Sequence, residues 1–266
     1  ETDLLDDLVE KGLARQADSE NYDVHDLVRE FLTRSMEDSL SQSLHANAAE
    51  WYRVRKGNPS ESIEYIHHLH MSGDTEGLAE ALSEEGHSLV KAGHIELLGI
   101  LRVLEASLFG PRTRFVIHEL TGDILSIQGR WDEAEEQYDH ALPIAVKHKL
   151  MTPLARIYSS RADLAVKKGE MDNALSLHKK ALEMQIKLRD AQGAARSYNN
   201  MGYIFRRQRD NKRAIEVYGN VEELLESEDS SDLTEARIRL ASAFLEMGEL
   251  DRARDHAMKA HDETAE

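Results

Sequence analysis

Four alanines, Ala134, Ala174, Ala214 and Ala253, recur at steps of 40, 40 and 39 residues, and each brings the same surroundings with it. Upstream of each lies a small residue, Gly122, Ala162, Gly202 or Ala241, followed by Leu125, Ala165, Phe205 or Phe244. Downstream come Tyr138, His178, Tyr218 or Ala257, and then Ala141, Ala181, Val221 or Ala260. Within a copy the apolar positions fall at helical intervals on either side of a short polar turn, RQRDN in the third. Each copy therefore reads as two helices folded back on each other, with small residues where the backbones cross closely. One such pair cannot bury its apolar face alone, so the copies must stack. The spacing thus predicts an all-α, open-ended array over the second half of the chain.

The pattern of small residue, aromatic, alanine and aromatic resembles the tetratricopeptide repeat (TPR). The resemblance places four repeats at about 115–148, 155–188, 195–228 and 234–266 of a region spanning 111–266, and implies a right-handed superhelix, an α-solenoid. A common TPR has a period of about 34 residues. The surplus lengthens each helix pair by roughly a turn and a half. Asp132, Asp172 and Asp251 begin the second helices, where an acid is expected to cap free amides and meet the positive end of the helix dipole; Lys212 breaks the rule in the third repeat.

The totals narrow the chemistry. Net charge is 33 − 50 = −17, which repels nucleic acid and anionic membrane over most of the surface. The absence of cysteine excludes disulfides, thiolate metal sites and a cysteine nucleophile. No apolar run approaches the ~18 residues of a membrane span, and no signal peptide is evident. These features predict a cytoplasmic protein that binds neither nucleic acid nor membrane. The chain opens at Glu1, within a helical pattern, as a fragment of a longer protein would.

Residues 1–38 read differently. Leu4, Leu5, Leu8 and Val9 form a helical face closed by Gly12; LARQADS and NYDVHD alternate around a polar DSEN turn like a small β-hairpin; Leu27, Val28, Phe31 and Leu32 resume a helical stripe. Helix, hairpin and helix in this order make the back half of a winged helix. The segments LDDLVEKGLA and YDVHDLVREFL resemble the winged-helix segment of signal-transduction ATPases of the STAND, NB-ARC-type class. In that family a hydrophobic-His-Asp motif opens this helix, and its histidine touches the β-phosphate of ADP. The resemblance gives that role to His25, between Val24 and Asp26, in a full-length parent that would bind ADP or ATP. The chain itself has no phosphate-binding loop G-x-x-x-x-G-K-[ST], so no cofactor and no ATP hydrolysis are expected of it. Residues 39–110 read as irregular TPR-like helical hairpins, with a turn at Gly57-Asn58-Pro59, Ser60 as an N-cap, and glycine breaks at 77, 86 and 93.

In TPR arrays the first helix of each repeat faces a concave groove. The residues in those slots are Arg196, Asn199, Asn200, Tyr203, Arg206 and Arg207 in the third repeat, Arg156 in the second and Arg239 in the fourth. Guanidinium groups clasp carboxylates, amides pair with an extended backbone, and Tyr203 offers a flat face. This set predicts a site for a protein or peptide, of acidic character. His67 and His70 share a helix face, but two imidazoles bind zinc weakly without a third ligand, so no metal site is expected. No catalytic arrangement is evident, and an enzyme is not expected. The reading that joins these observations is a protein- or peptide-binding sensor and scaffold region of a STAND-type regulatory ATPase, acting in signal transduction, with self-association through the array also open. The alternatives are a stand-alone TPR adaptor and the small-molecule-sensing region of a transcription regulator.

Overall fold

The computed structural model describes residues 14–16, 22–24, 36–54, 58–225 and 230–264. Strand β1 (Ala14–Gln16) pairs antiparallel with β2 (Tyr22–Val24), in the register Ala14 opposite Val24 and Gln16 opposite Tyr22. The helices read on either side of this pair, and His25 with them, lie outside the described residues.

The chain divides into two compact units, Glu1–Glu85 and Gly86–Glu266. The division falls inside a helix. In the first unit, α1 (Asp38–Arg53) and α2 (Pro59–Ser72) form a hairpin. The start of α2 differs from the sequence reading. Asn58, not Ser60, is the N-cap: its side chain accepts from the Ser60 amide at 3.1 Å. Pro59 is the first helical residue, where its fixed φ is helical and its missing N–H costs nothing. Gly73 ends α2 in the left-handed region, at φ 79°. Helix α3 (Thr75–Lys91) crosses the division.

The second unit continues with α4 (Leu97–Val103) and a short 3₁₀ turn, Ala106–Leu108. Four hairpins follow: α5 (Pro111–Ile127) with α6 (Trp131–Lys147), α7 (Met151–Lys168) with α8 (Met171–Leu188), α9 (Ala191–Arg207) with α10 (Asn211–Leu225), and α11 (Ser231–Glu246) with α12 (Leu250–Thr264). First helices start at residues 111, 151, 191 and 231, so the period in space is the period in sequence. Each first helix begins three or four residues ahead of the 34-residue template, and this is where most of the surplus length goes.

The small residue and the aromatic are partners within one repeat. Tyr138 and Tyr218 are buried, and their rings lie against the bare backbone of Gly122 and Gly202, so a Cβ at either glycine would overlap the ring edge. Where the small residue is Ala162, the partner slot holds the smaller His178; where it is Ala241, the slot holds Ala257. The turns are also regular. Gly129, Gly169 and Gly248 take the left-handed conformation after the first helix, and Arg209 takes it in the third repeat, at φ 62°.

The second-helix acids do not cap. Arg130 and Glu170 occupy the N-cap positions without side-chain caps. Asp132 instead accepts from Lys168 at 3.0 Å and Asp172 from Gln208 at 3.3 Å, each reaching the following repeat. Their carboxylates still sit in the first helical turn, where the dipole favours them. No described helix is long and apolar enough to cross a membrane.

Candidate functional site: a polar groove along the first helices

Helices α5, α7 and α9 present one face to an open cavity of about 190 Å³, lined among others by Glu119, Asp123, Arg156, Asp163, Arg196 and Asn200. A second, wider depression of about 590 Å³ lies further along, between α9 and α11, and includes Tyr203, Arg206 and Arg239. Six of the eight predicted residues therefore fall into two subsites, Asn199 and Arg207 lining neither, and several are already engaged by the protein.

Arg156 is clasped by Glu119: its Nε donates at 3.0 Å and its Nη2 at 2.8 Å. Glu119 is 1% exposed and also lies 2.8 Å from His87 Nε2. Asn199, expected in the groove, is 2% exposed, and its amide donates 2.9 Å to the Asp232 carbonyl. It joins the third repeat to the fourth, because the wall it faces is the next first helix rather than open space. Asn200 does line the cavity and donates 3.0 Å to Asp163. Arg206 pairs with Glu246 and Arg239 with Glu235. Arg207 and Arg239 both lie over the Tyr203 ring, 6.0 and 5.5 Å from its centroid. Arg196 is different: it is exposed at the cavity, which it lines together with Asp163 and Asp190, and it acts on Asp232 through longer-range charge.

Acids line the cavity together with these bases. Counting only the bases missed Glu119, Asp123 and Asp163, which occupy the same first-helix slots as Asn199 and Tyr203. The signal was in the sequence: Glu119 and Asp123 interrupt the apolar stripe of Val116, Leu120 and Ile124. Loss of hydration, then the neighbouring Glu119 charge, push Asp123 up to about 6, against the hydrogen bond Tyr138 donates to it at 2.7 Å. The surrounding protein also raises Asp163, against the pull of Lys167, although its side chain is still 53% exposed, so the effect is weaker than at Asp123.

His178, fully buried, is held down to about 4 by desolvation, so its approach to Asp163 at 3.6 Å is not an ion pair at neutral pH. Because its folded value lies below its unfolded one, stability present above about 6.5 is lost as pH falls toward 4. Asp123 and Asp163, raised on folding, favour the folded state as pH falls through about 6, so the wild-type curve sums opposing slopes. Comparison with His178→Gln isolates the histidine. From neutral pH to pH 4 the stability gap should move in the variant's favour by on the order of 3 kcal/mol, from a shift of 6.5 to about 4. Urea unfolding at both ends of the range measures it; a constant gap would refute the assignment.

In the first unit, the predicted pair of His67 and His70 is not the grouping that forms. His45 on α1 meets His67 and His68 on α2, with one ring nitrogen from each within 4.8 Å of the others. Burial, then the charges of His45 and His67, hold His68 down to about 4, and its imidazole is neutral near pH 7.

Residues 153–227 match the family described as tetratricopeptide repeat. No curated protein matches the chain. Among solved structures it is similar to BtubC (BKLC) from P. vanneervenii, at 20% identity and a TM-score of 0.57, over 87% of this chain and 92% of that one. It is also similar to a Signal Transduction ATPase with Numerous Domains (STAND) protein with a tetratricopeptide repeat sensor from Pyrococcus horikoshii, at 17% identity and a TM-score of 0.62, over 97% of this chain but 45% of that one. The nearly identical TPR-like repeats from Podosopora anserina align at 14% identity and a TM-score of 0.51, over 78% of this chain and 97% of that one. At these identities the likeness is one of fold, and the stretch similar to tetratricopeptide repeats spans the two hairpins α7–α8 and α9–α10.

Proposed function

We propose that this chain is the peptide-binding sensor region of a STAND-type regulatory ATPase, non-catalytic in itself, and that its groove takes an extended segment of a protein partner with a carboxylate directed at Arg196. The observation that carries the reading is Arg196, an exposed guanidinium at a polar cavity beside Asn200 and Asp163. Asp163, Asp123 and the paired Glu119 favour a peptide that brings donors as well as an acid, since a second bare carboxylate in that cavity would be repelled. Two further features support the ATPase context: the Val24-His25-Asp26 motif, with His25 as the ADP contact of a longer parent, and the fold likeness to a STAND protein with such a sensor. In that setting the ligand acts by preferring one state of the parent over another.

Peptides selected by display against the wild-type protein supply the probe. Replacing Arg196 and Asn200 by alanine should weaken them about five- to fiftyfold in fluorescence anisotropy, the loss of one or two charge-assisted hydrogen bonds. The wild-type affinity should fall with salt and rise as pH drops through about 6, where Asp123 and Asp163 lose charge. Equal affinity for both proteins would move the binding surface elsewhere.

A further inference from the structure

We propose that His45, His67 and His68 form a binding site for a divalent transition-metal ion of the zinc class, built across the α1–α2 hairpin. The three imidazoles converge from two helices, and their ligand nitrogens all lie within 4.8 Å of one another. The closest approach is 2.7 Å, between the Nδ1 atoms of His45 and His68. A tetrahedral ion with Zn–N bonds of about 2.1 Å sets its ligand nitrogens about 3.4 Å apart. That spacing falls between the two observed limits, so small side-chain rotations bring all three onto one ion.

The surroundings suit a fixed ligand set. Tyr52 stacks on His68 with centroids 5.5 Å apart and planes 21° from parallel, which restrains the ring. The rings of His45 and His67 meet edge to face at 6.0 Å. All three histidines are half-buried. An imidazole-only set selects zinc, copper or nickel over calcium and magnesium, which require oxygen. An N–H···N bond between His45 and His68 explains two of the rings; it does not explain why His67 turns toward them. Three protein ligands leave a coordination position for water or for a group from outside the chain.

The test uses the full chain with zinc chloride in calorimetry and cobalt chloride as a spectroscopic reporter. The wild type should bind one ion, show the visible absorption of low-coordinate cobalt, and melt at a higher temperature with zinc than after chelation. Each of His45→Ala, His67→Ala and His68→Ala should weaken binding about tenfold or more, with far-ultraviolet circular dichroism confirming the fold. His70→Ala should bind as the wild type does. A silent wild-type titration would overturn the proposal. So would unchanged affinity in the triple variant, or a His70→Ala loss as large as the others, which would assign the ion to the single-helix pair.

Discussion

Gly202→Ala should lower the unfolding free energy by about 1–3 kcal/mol, and Gly202→Leu by more, although the first adds a single methyl to a helix and improves its intrinsic propensity. In an exposed helix the same change would stabilise by roughly 1 kcal/mol. The sign reverses here because the new Cβ would overlap the edge of the Tyr218 ring, which is fully buried. The remedy is written in the neighbouring repeat, where Ala162 stands opposite His178. Adding Tyr218→His to Gly202→Ala should therefore return a substantial part of the loss. The two changes should be strongly non-additive, because Tyr218→His alone leaves a gap beside glycine. Thermal and urea unfolding of the four proteins completes the cycle. If Gly202→Ala is as stable as the wild type, the ring is not the constraint.

Arg156→Met should destabilise the array by about 1–3 kcal/mol. Removing one member of a fully buried ion pair costs about 3–5 kcal/mol, because the remaining charge is left without a partner. The figure is reduced here because Arg156 is 40% exposed and His87 remains beside Glu119. Methionine keeps most of the aliphatic stem and removes the guanidinium, whose carbon lies 5.8 Å from the Phe115 centroid, so the loss reports the charged group and its contacts. The informative variant is Arg156→Met with Glu119→Leu. With neither charge to bury, it should recover most of the lost stability. Recovery in the double variant distinguishes an orphaned carboxylate from a general disturbance of α5 against α7. A double variant as unstable as the single one would show that the pair is not what matters at this position.

How far each part was legible in the sequence follows from the range of the interaction. The hairpins were readable because helical periodicity and the small-residue slots are local, and because the copies check one another. Pairings between elements were not. Arg156 with Glu119, and Asn199 with the Asp232 carbonyl, depend on how neighbouring first helices pack, so a rule placing certain slots on the groove could not tell an open side chain from one claimed by the next repeat. The histidines show the same limit. Periodicity within α2 groups His67 with His70, whereas the hairpin crossing groups His67 and His68 with His45, and adjacent residues on a helix are not paired by any periodic rule. The start of α2 was misread by two residues because a proline in a turn and a proline opening a helix look alike until the preceding asparagine is seen to cap.

The glycine–tyrosine fit has a consequence for how such a chain can change over time. Because each ring is matched to the small residue of its own hairpin, the smallest exchangeable piece of this protein is a whole copy of about 40 residues. Duplication or loss of a complete copy keeps every fit intact and alters the length of the groove in steps. A recombination event with the second repeat, its crossover between Gly202 and Tyr218, would set a tyrosine against an alanine, or a histidine against bare backbone, and would be purged for stability before any effect on binding was felt. Related chains of different length should therefore differ by whole hairpin pairs, with their junctions in the turns between repeats.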